Sequence, residues 1–264
     1  MIKVEILLYY VEKNIIIIYN LRGVINMSKR FVVDEENIFI EDNQLLVRGD
    51  EVHHINVLRY KIGDNVYINE YELEITKITK DMLEGKIIGK LPQKGIPHVN
   101  ITLIQSYLKS DKMDYVVQKA VELGVKNILP VVTKNTIVKF DEKDKVKKVE
   151  RLCKIAKEAV EQCGRADLVN VENIQNIDKI DFSKYDKILV CHETSTMNLK
   201  ETLDVIRGKI SIAVIVGPEG GLDNLEVNKI LQNKNATDIS LGERVLRAET
   251  ASLAVLSILS YELG

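Results

Sequence analysis

At 264 residues, 45% hydrophobic and 29% charged, the chain has an ordinary globular composition and room for one large or two modest domains. A net charge of −2 excludes a protein that coats nucleic acid indiscriminately, so any RNA partner requires a local basic face. Cys153, Cys163, Cys191 and four scattered histidines lack metal-ligand spacing, which points to no metal and to reduced, buried thiols in a cytosolic protein.

In chain order, the first apolar run is Ile15-Ile16-Ile17-Ile18-Tyr19. It is too short for a bilayer span, which needs roughly 20 apolar residues, and it lacks the cleavage site of a signal peptide. Arg22-Gly23 can be encoded by AGG-GGN, a ribosome-binding sequence a few codons before Met27. Residues 1–26 are therefore expected to be translated leader, with an added β-strand as the alternative. Short strand-like runs follow at 37–40, 44–48, 65–69, 71–78 and 82–88, punctuated by turns at Glu41-Asp42-Asn43 and Lys61-Ile62-Gly63-Asp64. Asp50 is expected to cap one short helix through Leu58. Several short strands with one helix predict a small, partly closed β-barrel over residues 27–91.

Leu91-Pro92-Gln93-Lys94-Gly95-Ile96-Pro97 reads as a linker, and past it, over 98–264, strands and helices alternate. A strand at 99–105 leads to a helix capped by Asp111, with Met113, Val116, Val117, Ala120 and Val121 on one face and Gly124 at its end. A strand at 128–132 precedes a longer helix at 139–163, with Val146, Val149, Cys153, Ala156 and Val160 expected inward. Lys139, Lys145, Lys147, Lys148, Arg151, Lys154 and Lys157 crowd that helix, and read as a solvated face in preference to an RNA contact. Strands at 187–191, 210–216 and 238–241 and helices at 199–207 and 248–261 complete the pattern. Alternation of this kind predicts a parallel, doubly wound sheet.

Two stretches near the C-terminus carry the chemistry. The apolar run 210–216 stops at Gly217-Pro218-Glu219-Gly220-Gly221-Leu222, and Asp223 with Glu226 forms a capping box for the next helix. Strand, glycine turn and helix mark the crevice where α/β sheets bind ligands. The turn has neither the Lys-Ser/Thr of a P-loop nor the G-x-G-x-x-G of a dinucleotide site. By itself it reads equally as a structural turn. The second stretch is Leu241-Gly242-Glu243-Arg244-Val245-Leu246-Arg247-Ala248-Glu249-Thr250-Ala251.

Together the two stretches resemble the cofactor-binding motifs of the SPOUT methyltransferases, and in detail the RsmE family of 16S ribosomal RNA uridine-N3 methyltransferases. Lys112 to Gly124 is similar to that family's first catalytic-domain helix, and Ile155 to Arg165 to its E-Q-x-x-R helix end. Met27-Ser28-Lys29-Arg30-Phe31-Val32-Val33 and His53-His54-Ile55-Asn56-Val57-Leu58-Arg59 resemble its N-terminal signatures.

The resemblance implies a PUA-like RNA-binding domain followed by a SPOUT domain with a C-terminal trefoil knot. It implies S-adenosylmethionine held by His192 and Glu193, by Val216, Gly217, Pro218, Glu219, Gly220 and Leu222, and by Leu241, Gly242, Val245, Leu246, Thr250 and Ala251. Gly220 is expected to let the backbone approach the cofactor, and Glu219 either orients the cofactor or polarises the turn. Arg244 and Arg247, oriented by Glu249 and Thr250, would stabilise charge on the uracil or contact phosphate; the alternative is helix-end pairing with Glu243 and Glu249. Arg30, Arg59 and Arg165 are the implied RNA contacts. The implied partners are 16S ribosomal RNA in the assembled small subunit and a second copy of the chain, in the cytoplasm with no membrane. Another SPOUT RNA methyltransferase, acting on tRNA or ribose, or a non-catalytic ribosome-assembly protein remains the alternative.

Overall fold

The protein is described here by a computed structural model, covering residues 5–11, 14–20, 30–90, 99–165, 167–206 and 211–263. Met27 to Lys29, the expected linker and Arg207 lie outside the described residues. The chain divides into two compact units, residues 1–90 and 91–264.

In the first unit, β1 (Glu5–Val11) and β2 (Asn14–Asn20) pair antiparallel as a sheet of their own. The remaining strands are β3 (Arg30–Phe31), β4 (Ile38–Glu41), β5 (Gln44–Arg48), β6 (Asn65–Ile68), β7 (Tyr71–Ile78) and β8 (Met82–Lys90). They form one sheet in the order β3-β6-β7-β8-β5-β4, antiparallel except for the β3–β6 pair. Alternation puts Leu45, Val47, Val66, Ile68, Leu73, Ile75 and Leu83 on one face, where they are buried. Val52 and Ile55 of α1 (Asp50–Val57) join that core. Asp50 does not cap α1: the N-cap is Gly49 at φ 98, without a side-chain hydrogen bond. The chain enters this helix through a backbone conformation that only glycine adopts at little cost.

The second unit is built on β9 (Asn100–Ser106), β10 (Asn127–Val132), β11 (Asn170–Val171), β12 (Gln175–Asn176), β13 (Lys187–Cys191), β14 (Ser211–Val216) and β15 (Ala236–Ile239). Its sheet runs β11-β10-β9-β14-β13-β15, with β12 also on β10, and every pairing is parallel. The six residues of β9 after Asn100 and Ile212–Val216 of β14 are all buried. Near-continuous burial is what central parallel strands covered on both faces require. Helices α2 (Asp111–Glu122), α3 (Glu142–Cys163), α4 (Leu199–Ile206), α5 (Asn224–Leu231) and α6 (Ala248–Leu263) connect and cover these strands, with α2 against both α3 and α6.

Helix α2 buries the five residues expected of it, but its N-cap is Ser110, not Asp111, at φ 50 and with no side-chain hydrogen bond. Helix α3 starts later than expected, at Glu142, where Asp141 accepts the backbone N–H of Asp144 at 2.7 Å. Its buried stripe is Leu152, Ala156, Ala159 and Val160, an i, i+4, i+7, i+8 face that turns Val146 and Cys153 outward. Two of the three thiols, Cys153 and Cys163, are therefore exposed, contrary to expectation. Strand β15 ends two residues before the expected limit, because Ser240 instead bridges to Asn198. Among the described residues no helix is long and apolar enough to cross a membrane.

Candidate active site

The carboxyl ends of four adjacent strands reach the same level. Gln105 of β9 is in register with Val216 of β14, Val216 with Cys191 of β13, and Cys191 with Ile239 of β15. The loops leaving β13, β14 and β15 therefore emerge side by side, where the peptide dipoles and free backbone groups of a parallel sheet face a ligand.

The loop after β14 is folded tightly on itself. A Cβ at Gly217 would lie 2.9 Å from the backbone nitrogen of Leu222, so only glycine fits there. Gly221 sits at φ 72 and its N–H donates to the Pro218 carbonyl at 2.9 Å. The capping box then starts α5: Asp223 accepts from the backbone at N3 and Glu226 reaches back to the Asp223 N–H at 3.2 Å. Other loops hold this turn. Lys134 Nζ meets Asp223 at 2.6 Å, Asn135 Nδ2 donates to the Gly220 and Gly221 carbonyls, and the Lys109 N–H donates to Glu219 Oε1 at 3.2 Å. Beneath it, the fully buried Gln105 accepts the Ser252 hydroxyl of α6 at 2.5 Å and directs its amide at the Val216 and Gly217 carbonyls.

The other two loops clasp each other. The His192 N–H donates to the Ile239 carbonyl and the Ser240 N–H to the Met197 carbonyl. His192 Nδ1 lies 3.0 Å from the Thr194 hydroxyl, which makes it a loop residue. After Ser240 the chain turns through Gly242 at φ 115. It then runs exposed through Glu243, Arg244 and Val245 before Ala248 opens α6.

These loops enclose a cavity of about 320 Å³. That volume lies at the small end of ligand sites, which combine apolar walls with a few convergent polar groups. His192, Glu193, Val216, Gly217, Pro218, Glu219 and Leu222 line it, as do Leu241, Gly242, Arg244, Val245, Leu246, Arg247 and Ala251. The sequence thus brings most of its expected residues together. Gly220 is an exception: its added Cβ would face Asn135 at 3.4 Å, away from the cavity. Thr250 and Glu249 also lie outside the lining, since the first turn of α6 points them elsewhere.

Glu249 has a different partner from the one expected. Its carboxylate meets Lys112 Nζ at 3.1 Å, and Arg244 and Arg247 form no ion pair within 4.0 Å among the described residues. Partial burial raises the Glu249 carboxyl, but its backbone N–H, Lys112 and Arg247 outweigh burial and hold it below the usual carboxylate range.

Two expected RNA contacts are corrected. Arg165 is 6% exposed, donates from Nη1 to the Val121 and Val125 carbonyls at 2.8 Å, and pairs with Asp167. It ties the end of α2 to the chain after α3. Arg30 is 5% exposed, within the edge strand β3. Only Arg59, at φ 62, stands exposed. At least three of the seven basic residues on and before this helix have partners of their own: Lys145 pairs with Glu142, Arg151 with Asp114, and Lys148 lies over the Tyr107 ring.

Sequence reasoning missed Gln105, Lys112 and Asn135. Gln105 carried a signal, a polar residue at the end of an apolar strand. The other two act through contacts with residues more than eighty positions away.

Residues 96–260 match the family described as RNA methyltransferase domain, and residues 47–88 the RNA methyltransferase PUA domain. The chain is 31% identical over 249 residues to Ribosomal RNA small subunit methyltransferase E of Bacillus subtilis (strain 168), covering 89% of this chain and 97% of the relative. The protein of that description from Mesomycoplasma hyopneumoniae (strain 232) is 29% identical over 232 residues, covering 86% and 97%. Among solved structures, Ribosomal RNA small subunit methyltransferase E from Neisseria gonorrhoeae bound to S-adenosyl methionine superimposes with a TM-score of 0.74 at 28% identity, covering 88% and 97%. A structure from Legionella pneumophila in complex with the bound cofactor SAM gives 0.76 at 26% identity, covering 89% and 97%.

Proposed function

The chain belongs to the RNA methyltransferase family whose domain spans residues 96–260, and we propose that it methylates N3 of one uridine in 16S ribosomal RNA of the assembled small subunit, using S-adenosylmethionine. The observation that carries this reading is the convergence of the glycine turn and the arginine loop on one cavity at the strand ends. The residues present suit the cofactor. Val216, Leu222, Leu241 and Leu246 offer apolar walls for a flat base, and Gly217 and Gly221 bring backbone groups close. Glu193 and Glu219 supply negative charge for a cationic ligand. Bound there, S-adenosylmethionine supplies an activated methyl group.

The protein's part is alignment and charge. Holding nucleophile, methyl and leaving group in line provides most of the rate gain. Uridine N3 must lose its proton, and the uracil oxygens then carry developing negative charge. Arg244 and Arg247 are the exposed cations at the cavity lip, free to stabilise that charge or to grip a neighbouring phosphate. The PUA-like unit adds Arg59 as an RNA contact.

Two copies of the chain assemble as a homodimer in the cytoplasm. Ile258 is 39% and Tyr261 86% exposed on α6, and Val245 is 78% exposed in the arginine loop, an apolar set suited to a partner. The strand order, with β14 inserted between β9 and β13, accompanies the trefoil knot of the SPOUT fold.

The test is to map methylated uridines in ribosomal RNA from cells with and without this gene. Loss of one N3-methyluridine from the small subunit is the expected result. Loss of a ribose or tRNA methylation would move the protein to another SPOUT activity. An unchanged pattern, with no cofactor binding by calorimetry, would refute catalysis.

A further inference from the structure

Lys112 occupies a position that helix electrostatics disfavours. It lies in the first turn of the twelve-residue α2, where the positive end of the helix dipole repels a cation. Two carboxylates from distant parts of the chain offset that repulsion. Lys112 Nζ is 3.1 Å from Glu249 Oε1 and 3.2 Å from Oε2 at the start of α6, and 4.0 Å from Glu219 Oε1 in the glycine turn. The Lys112 side chain is 33% exposed and Glu249 16% exposed, so the pair is partly sheltered from solvent. Lys112 also lines the cavity.

Glu249 stands two residues after Arg247, close enough for the Arg247 charge to act on its carboxyl. Left without Lys112, this carboxylate has one obvious substitute partner, the guanidinium at the lip of the cavity. An arginine captured in that way would be withdrawn from any anionic group of the RNA.

We propose that Lys112 is a positioning residue: by occupying the Glu249 carboxylate it keeps Arg247 free for the substrate, and through Glu219 it holds the glycine turn beside the same helix end. The inference rests on the methyltransferase reading for its effect on turnover. Its central claim, the exchange of partners on Glu249, is testable without cofactor or RNA. The groups that bear on Glu249 are Lys112 from α2, Arg247 from its own loop and, through Lys112, Glu219.

The experiment compares the wild type with Lys112→Met, Lys112→Arg, Lys112→Met/Glu249→Gln and Lys112→Met/Arg247→Ala. In the cofactor-free protein, carboxyl NMR should show Glu249 still titrating low in Lys112→Met, because Arg247 takes over. In Lys112→Met/Arg247→Ala it should titrate higher than in Lys112→Met, since only its backbone N–H then opposes burial. On assembled small subunits lacking the modification, Lys112→Met should slow methylation by about 10- to 100-fold, the scale of one lost electrostatic contact. Cofactor affinity should fall far less than turnover, because the glycine turn keeps its anchors at Lys109, Lys134 and Asn135. Lys112→Arg keeps the charge and should stay near the wild-type rate. Glu249→Gln in the Lys112→Met background should restore roughly tenfold, a coupling of the size expected for contacting residues.

Return of Glu249 to its ordinary value in Lys112→Met alone would overturn the proposal, as would failure of Glu249→Gln to rescue a slow Lys112→Met enzyme. A wild type that methylates no RNA would instead remove the functional reading, leaving the titration to decide the partner exchange. Should Lys112→Met not fold, Lys112→Gln carries the same comparison.

Discussion

The glycine turn and the arginine loop lie on one cavity but are held very differently. The turn is anchored by Gln105, Lys109, Lys134, Asn135 and its own capping box. The arginine loop has Glu243, Arg244, Val245 and Arg247 exposed and is fixed mainly at its ends, by Ser240 and by the start of α6. A small-molecule site gains affinity from a preformed shape, because little ordering remains to be done on binding. A surface that meets folded RNA gains from charged side chains still free to adjust to phosphates and bases. On the proposed function, the anchored turn offers the cofactor a preformed wall, which Leu241 and Leu246 complete, and the exposed arginines are left to meet the substrate.

The largest effect is expected on the rigid side. Gly217→Val places side-chain carbons against the Leu222 backbone, and overpacking of that kind should weaken S-adenosylmethionine binding about 100-fold by calorimetry. Wild-type affinity would break the assignment of the turn to the cofactor. Next comes the adjustable side: Arg247→Ala should lower methyl transfer to assembled small subunits about 100-fold while cofactor affinity holds. Equal loss of both would mean that the loop also shapes the cofactor pocket.

Gln105→Leu should cost about 1–3 kcal/mol in urea denaturation, since it removes the amide under the turn and leaves the buried Ser252 hydroxyl only the Ala248 carbonyl as acceptor. An accompanying fall in cofactor affinity would sharpen the link between α6 and the turn. The smallest change belongs to Gly220→Ala. Its Cβ meets Asn135 at 3.4 Å outside the cavity, so affinity should fall by less than about threefold. A loss as large as that of Gly217→Val would show that both glycines face the ligand.

Much of this was legible in the sequence because it depends on local rules. The strand-turn-helix around Gly217 and the Asp223–Glu226 box follow from neighbouring residues, and the structure has both. The buried face of α2 was read correctly because its period is unbroken. Helix α3 misled because its charged first half, through Glu150, packs nothing fully, leaving only the second half to define the inward stripe. The cap at Ser110 was missed because a residue with φ 50 and no side-chain bond leaves no compositional trace.

What the sequence determined by itself was the succession of elements, the alternation that makes a parallel sheet, and the glycine turn with its capping box, since each rests on contacts a few residues long. The tertiary structure alone decided partners. It gave Glu249 to Lys112, buried Arg165 against Asp167 and two carbonyls, turned Gly220 toward Asn135, and set Gln105 between the glycine turn and α6. Charges and amides pair with whatever the fold brings within about 3 Å, and that neighbourhood depends on the packing of whole elements.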